Sequence, residues 1–174
     1  QAQSKVYTAT IRLGAHTPSL DAETEVDQWA ENPDKVKCLT TQVVQEAAET
    51  LTGSIEQRPP MYSAKKVDGV KAYDAARKGE QIKLRTSSVH VSLFQVDDAS
   101  PLNLDNHPVF DVKVTIHCSK GTYIRSLARD LGDRLGVGGT LTSLCRVSSG
   151  EFHVDHAWSV PDLVAALNGQ APTP

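Results

Sequence analysis

Several features that would assign a protein class are missing from this sequence. The 174-residue chain has three cysteines, and no two of them form a CxxC pair. Cys38, Cys118 and Cys145 therefore disfavour both a zinc site and a disulfide framework, and favour a reducing, cytoplasmic setting. No apolar run approaches the length of a membrane span, and no basic start before an apolar stretch marks a signal peptide. The chain begins with Gln rather than Met, which suggests a processed chain or a fragment.

The chain also has no excess of positive charge. Its 18 lysines and arginines face 21 aspartates and glutamates, so the totals do not indicate a nucleic-acid partner. The charges are unevenly spread, however: acidic residues crowd positions 21–34, and basic residues dominate positions 58–85. Tyr62 and Tyr73 lie inside this basic region, which would suit a phosphate backbone with bases stacked beside it. A solvated helix and loop with scattered lysines explains the same pattern equally well.

Hydrophobic periodicity predicts strands and helices intermingled in one domain. Alternating apolar residues predict three strands, over residues 6–13, 87–96 and 110–118. Helical spacing and capping residues predict four helices, over residues 43–51, 72–78, 124–135 and from Ser159 to about 167–169. Residues 17–34 are expected to form an acidic loop. The order of these elements favours an α+β fold with a mixed, largely antiparallel sheet and flanking helices.

A group of candidate binding residues lies where the third predicted strand ends and a helix begins, in the segment CSKGTYIR from Cys118 to Arg125. Backbone N–H groups at such a turn, with Lys120 and Arg125 nearby, form a natural anion site. A nucleotide-binding P-loop is rejected because the GxxxxGK[ST] order is missing and the lysine precedes the glycine. On these grounds alone, Arg125 could equally be a structural salt-bridge partner. The cluster of Tyr123, Lys120 and Arg125 at one turn nevertheless disfavours a purely structural domain.

Three motifs resemble one known family. The segment KVYTATIRLG at residues 5–14, followed by Thr17 and Asp21, resembles the K-x-Y strand of the bacterial tRNA pseudouridine-55 synthases, the TruB family. RPPMYSAKKVDG at residues 58–69 is similar to that family's PPxYSAxKxxG signature. Residues 118–130, followed by Leu144 and Arg146, are similar to its CSKGTYIRxLxxDxG and LxR segments. Three motifs in this order and spacing are not expected by chance.

The resemblance implies a pseudouridine synthase catalytic-domain fold and a cofactor-free, metal-free isomerisation. The substrate would be a uridine of the tRNA T-arm that is flipped out of its stack. In that family an aspartate attacks the uridine, the glycosidic bond breaks, and the base is rejoined through carbon.

The resemblance also implies roles for individual residues. Arg125 would pair with the nucleophilic aspartate, Tyr7 would stack on the flipped base, and Tyr123 would lie against the same pocket. Leu144 would help to exclude water from that pocket. The residues implied in RNA binding are Arg58, Tyr62, Lys65, Lys66 and Lys120.

The sequence departs from the family pattern at the nucleophile. The family's aspartate lies in a GHxGTLDP-like segment upstream of the K-x-Y strand, and no such segment occurs in residues 1–174. Neither Asp21 nor any aspartate between positions 97 and 105 is assigned to that role. We therefore expect residues 1–158 to be the later part of an incomplete catalytic domain, with an RNA-binding loop region at about 56–85. Residues 159–174 would form a C-terminal helix and tail leading to a missing extension.

Two interpretations follow from this departure. In the first, the chain belongs to a tRNA-modifying enzyme, is a monomer, and is inactive without its aspartate segment. In the second, it is a non-catalytic RNA-binding module that keeps the synthase's substrate face. An intact aspartate segment upstream in the encoding gene would exclude the second.

Overall fold

The computed structural model of the chain describes residues 4–63, 66–67, 70–71 and 85–169. The strands are β1 (Lys5–Leu13), β2 (Ala15–His16), β3 (Gln28–Trp29), β4 (Gly53–Gln57), β5 (Lys66–Val67), β6 (Val70–Lys71), β7 (Ser87–Leu104), β8 (His107–Cys118), β9 (Gly139–Ser149) and β10 (Phe152–His153). The α-helices are α1 (Pro33–Lys37), α2 (Thr41–Glu49), α3 (Ile124–Leu135) and α4 (Val160–Leu167), and a 3-10 turn spans Val154–His156.

Six of the strands form one antiparallel sheet in the order β10-β9-β1-β8-β7-β4. β1 lies between β8 and β9, with Ile11 opposite Val112 on one side and Leu141 on the other. Asp105 and Asn106 join β7 to β8 with φ values of 48° and 63°, a turn in which both central residues are left-handed. Such a turn matches the twist of the two strands. The long β7–β8 hairpin is therefore specified locally.

The core lies between one face of this sheet and the helices. Alternate residues of β1 and β8 point to that face, and Ile11, Val112 and Ile116 are fully buried there. On α3, Leu127 and Leu131 lie one turn apart and are also fully buried. α1 packs against β8, α2 against β7, and α3 against β9. The helix that begins at the end of the CSKGTYIR segment is thus packed against the central sheet.

α3 approaches the start of β9 backbone to backbone. A Cβ atom on Gly132 would lie 2.2 Å from both the carbonyl carbon of Gly138 and the nitrogen of Gly139. The helix ends at Gly136, whose φ of 67° is left-handed, as is common for a glycine at this position. Both the position and the end of α3 are therefore set by glycines.

The structure confirms the predicted α+β fold with a largely antiparallel sheet and extends several elements. The predicted strands are present, and the second continues to Leu104 rather than ending at 96. The predicted helices over 43–51, 124–135 and from Ser159 correspond to α2, α3 and α4. The prediction of a helix over 72–78 lies outside the described residues.

The prediction that residues 17–34 are wholly loop was wrong. This stretch contains β3, and α1 begins at Pro33. Asn32 caps α1 by accepting hydrogen bonds from the backbone nitrogens of Asp34 and Lys35, and a proline suits a first helical position because it needs no hydrogen-bond acceptor. None of the described helices is long and apolar enough to cross a membrane.

Candidate active site

Arg125 connects three parts of the chain. It lies in the first turn of α3, where Nη1 donates to Asp21 Oδ2 at 3.1 Å and to the Ser19 carbonyl at 3.0 Å. Nη2 donates to the Tyr62 carbonyl at 2.6 Å. The Arg125 and Asp21 side chains are 22% and 28% exposed, so water screens their attraction less than on an open surface. The guanidinium therefore has a fixed orientation between the loop after β2 and the loop after β4.

The Asp21 carboxylate is held by its own loop. Oδ1 accepts from Ser19 Oγ at 2.6 Å and from the Glu23 backbone nitrogen at 3.0 Å. The Thr17 hydroxyl donates to the Asp21 carbonyl at 2.8 Å. These contacts leave Oδ2 directed at Arg125. Sequence analysis quoted Asp21 within a motif but did not identify it as a partner of Arg125.

A cleft of about 430 Å³ opens beside this ion pair. Its lining consists of Asp21, Ala22, Glu23, Arg125, Leu141, Thr142, Ser143 and Leu144. Leu144 is 49% exposed, which is unusual for a leucine in the middle of a sheet strand. The cleft thus joins one cationic group, two carboxylates and an apolar wall from β9.

Tyr7 lies on β1, opposite Ile116 of β8 and Arg146 of β9. Burial raises the pKa of its phenol above the ordinary 10.0, and the Cys118 thiol group adds to the rise, while a hydrogen bond with Arg146 opposes it. The phenol is therefore neutral at physiological pH. Tyr7 does not contribute to the lining of the 430 Å³ cleft, and its role in base stacking remains a prediction.

Tyr123 and Lys120 lie in the turn between β8 and α3. The turn is fixed to β7, because the Ser119 backbone nitrogen donates to the His90 carbonyl at 2.8 Å and the His90 nitrogen donates to Ser119 Oγ at 2.9 Å. Gly121 has a φ of 89°, which a residue with a Cβ rarely adopts. Tyr123 precedes the first residue of α3, and Lys120 is exposed to solvent.

The structure describes some of the residues predicted to bind RNA in full and others only in part. Arg58 is exposed, and its carbonyl accepts from Ser126 Oγ at 2.8 Å and from Arg129 Nη2 at 3.0 Å. Tyr62 is partly buried and bonds Arg125 through its carbonyl. Lys65 lies outside the described residues, and Lys66 is described only by its backbone in β5. Their contacts with RNA remain predictions.

A larger depression of about 710 Å³ lies on another side of α3. Arg58, Arg129, Asp130 and Arg134 contribute to its lining. Burial raises the pKa of the Asp130 carboxyl, while the hydrogen bond from Arg129 opposes that rise. We place the candidate active site at the smaller cleft, because that cleft contains Arg125 and Leu144. No group of three or more His, Cys, Asp or Glu residues within the described ranges could hold a metal ion.

Two family profiles together match almost the whole chain. The N-terminal domain of TruB family pseudouridylate synthases matches residues 1–124, and the C-terminal domain of tRNA pseudouridylate synthase B matches residues 125–171. The chain belongs to the TruB family of pseudouridylate synthases. The two matched parts share one sheet, since β9 of the second part pairs with β1 of the first.

Two relatives of known family agree with this assignment. The chain is 44% identical over 161 residues to tRNA pseudouridine synthase B of Mycobacterium leprae, covering 92% of this chain and 49% of the relative. It is 41% identical over 170 residues to tRNA pseudouridine synthase B of Phocaeicola vulgatus, covering 98% and 67%. The chain thus spans about half the length of the first relative and about two thirds of the second.

A chain in the crystal structure of the archaeal box H/ACA sRNP Nop10-Cbf5 complex has a similar fold. The TM-score is 0.51 at 20% identity, with 97% of this chain and 37% of the other covered.

Proposed function

We propose that the protein to which these residues belong converts a specific uridine in the tRNA T-arm to pseudouridine. The observation that carries this proposal is the position of Arg125, which the YIR motif predicted as a site residue. Arg125 and Leu144 line the same cleft. Membership of the TruB family supports the reaction type, and the relatives' name, tRNA pseudouridine synthase B, supports tRNA as the substrate.

In this proposal Arg125 orients the nucleophile. An arginine side chain has five N–H donors. Its three hydrogen bonds within the described residues leave two donors for a further carboxylate. A charge-assisted bond of this kind stabilises the ionised form that must attack the uridine. The carboxylate would come from the GHxGTLDP-like segment that residues 1–174 do not contain.

Asp21 would then have a positioning role. Its carboxylate already binds Arg125, Ser19 and Glu23, and this use explains why we do not assign it as the nucleophile. Tyr7 and Tyr123 would contact the flipped base, and Leu144 would shield it from water. No cofactor or metal would be needed.

The RNA would be held by the basic region around the loop after β4. Arg58, Tyr62, Lys65, Lys66 and Lys120 would contact its backbone and bases. Lysines in such sites supply salt-dependent affinity, whereas structured RNA is recognised mainly by shape and by splayed-out bases. A monomer in the cytoplasm is the setting that we propose for this activity.

The test uses a fusion protein in which a GHxGTLDP-containing segment is joined to the N-terminus of the 174-residue chain. A tRNA transcript is incubated with this protein, and the positions of pseudouridine are then mapped. Carbodiimide treatment and primer extension locate each pseudouridine. We expect one modified position, in the T-arm, and none when Arg125 is replaced by Ala. Modification confined to another arm would contradict the proposed substrate site, and full modification by the Arg125→Ala variant would contradict the proposed role of Arg125.

A further inference from the structure

Gln57 is a fully buried polar side chain at the end of β4, the edge strand of the sheet. Its Nε2 donates to the Tyr123 carbonyl at 3.1 Å, and its Oε1 accepts from the Tyr123 backbone nitrogen at 2.8 Å. One side-chain amide therefore satisfies both backbone groups of a single residue. The N–H of an N-cap residue has no partner within its helix, and here Gln57 supplies one.

The residue that Gln57 binds is the one at which α3 begins. Tyr123 is the N-cap of α3, and its own side chain makes no capping hydrogen bond. Its carbonyl accepts the first helical hydrogen bond, from the Leu127 nitrogen at 3.2 Å, as well as the bond from Gln57. Arg125 follows two residues later in the first turn. Because a helix is stiff over a single turn, the position of the Tyr123 backbone determines where Arg125 points.

The loop after Gln57 runs along the first two turns of the same helix. Ser126 and Arg129 donate to the Arg58 carbonyl, and Arg125 donates to the Tyr62 carbonyl. In these three contacts, side chains of α3 donate to backbone carbonyls of the loop. At Gln57, by contrast, a side chain of β4 bonds the backbone at the start of α3. Both sets of hydrogen bonds hold the loop against the start of the helix.

We propose that Gln57 is a positioning residue whose two hydrogen bonds to Tyr123 set the start of α3 and thereby orient Arg125 at the cleft. The functional part of this inference rests on the proposed function, because it assumes that Arg125 acts on RNA. Gln57 itself is buried and contacts no substrate. Its effect on the helix start does not depend on any activity.

Two substitutions in the 174-residue chain test this role. Gln57→Met keeps the length of the side chain and removes both hydrogen bonds. Gln57→Glu keeps the shape, but an ionised carboxylate places an oxygen acceptor against the Tyr123 carbonyl. A protonated carboxyl can donate there as the amide does, and burial favours that neutral form. Gln57→Glu should therefore resemble the wild type at low pH and Gln57→Met at high pH.

Gln45 on α2 provides a control for these substitutions. The Gln45 side chain also bonds two backbone groups, both in β7. It donates to the Phe94 carbonyl at 3.3 Å and accepts from the Val96 nitrogen at 2.8 Å. Gln45 is partly buried and lies on α2, which contacts α3, but its bonds are made to β7 and not to the start of α3. Gln45→Met and Gln45→Glu therefore remove a similar pair of hydrogen bonds without changing a contact of the residues at which α3 begins. They show what a general loss of stability does by itself.

The main measurement is hydrogen exchange of the backbone amides of Tyr123 and Leu127, which donate to Gln57 Oε1 and to the Tyr123 carbonyl. The rates are expressed as protection factors so that the intrinsic pH dependence cancels. Gln57→Met should lower protection there about tenfold more than Gln45→Met does, since a buried backbone group that loses its partner opens more readily. In Gln57→Glu this loss should appear only above the pH at which the carboxyl ionises. Equal protection of the Tyr123 and Leu127 amides in the Gln57 and Gln45 variants, or protection in Gln57→Glu that does not change with pH, would overturn the proposal.

Binding of a T-arm stem–loop RNA tests the functional part. The affinity of Gln57→Met should fall at least about threefold below that of Gln45→Met at equal fraction folded, because Arg125 would be misplaced. Equal affinities would overturn the orienting role at the cleft. If the wild-type chain binds this RNA no better than an unrelated hairpin, the proposed function fails, while the exchange result still decides whether Gln57 sets the start of α3.

Discussion

Replacing Asp21 with Asn should remove the ion pair between Arg125 and the loop that contains Asp21, without changing the shape of the site. Asn and Asp are isosteric, and the amide oxygen of Asn can still accept from Ser19 Oγ and the Glu23 nitrogen, which bond Oδ1 at 2.6 and 3.0 Å. The amide NH₂ group would instead face Arg125 Nη1, where the wild type has a carboxylate oxygen 3.1 Å away. The substitution therefore replaces one attractive contact with two opposed donors.

The magnitude follows from the exposure of the pair. A hydrogen bond to a charged group contributes about 1.5–3 kcal/mol when buried, and a fully exposed ion pair contributes roughly 0–1 kcal/mol. With side chains 22% and 28% exposed, the pair lies between these cases. We expect Asp21→Asn to lower the free energy of unfolding by about 1–2 kcal/mol.

A double-mutant cycle measures this contact directly. Urea unfolding of the wild type, Asp21→Asn, Arg125→Met and the double variant should give a coupling free energy of about 1 kcal/mol that shrinks in 1 M salt. The control is Asp34→Asn, whose bond with Lys37 is shorter, at 2.9 Å, but whose partners are 62% and 84% exposed. A coupling at Asp21 no larger than the effect of Asp34→Asn would refute the argument that burial makes this pair important.

Three further predictions concern α3 and the RNA surface. Gly132→Ala should lower the melting temperature, because the new Cβ would lie 2.2 Å from the backbone at the start of β9. This clash should outweigh the helix propensity of alanine, which exceeds that of glycine by about 1 kcal/mol. A higher melting temperature would contradict the close backbone contact. Because burial raises the folded-state pKa of Asp130, its protonation stabilises the fold at pH below the ordinary 3.8, and this contribution is lost as the pH rises through the folded-state value. Acid-range unfolding of Asp130→Asn should lack that part of the pH dependence, and identical profiles would count against it. Lys120→Ala should weaken stem–loop binding and reduce the slope of log K against log salt by about 0.7–0.9, whereas an unchanged slope would exclude a phosphate contact.

Local sequence patterns were sufficient to predict the strands and helices whose apolar residues recur at a regular spacing. β1, β8 and α3 were predicted because each places apolar residues at a regular spacing, and Gly136 supplied the end of α3. β9 was missed although it forms half of the cleft wall. Its residues Ser143–Arg146 are all exposed and its register with β1 is irregular at two points, so the strand has no alternation to detect. α1 was missed because it is short and buries only Val36.

The sequence proposes residues for the site but carries no information on their contacts. Arg125 was found through a motif, yet its partner Asp21 lies 104 positions earlier, and periodicity carries no information over that distance. Gln57 lies two positions before the first proline of the PPxYSAxKxxG signature and has no signal of its own in the sequence. Its importance follows only from complete burial and from the two bonds to Tyr123. Long-range hydrogen bonds of this kind depend on the assembled fold.

The most direct test of the central claim is tritium release from tRNA labelled at C5 of uridine, because rejoining the base through that carbon frees its hydrogen. The fusion that carries a GHxGTLDP-containing segment ahead of residue 1 should release tritium, and its Arg125→Ala variant should release none while still binding the tRNA. The 174-residue chain without that segment should also release none. Release by the Arg125→Ala variant, or by the chain without the segment, would contradict the account of how this site works.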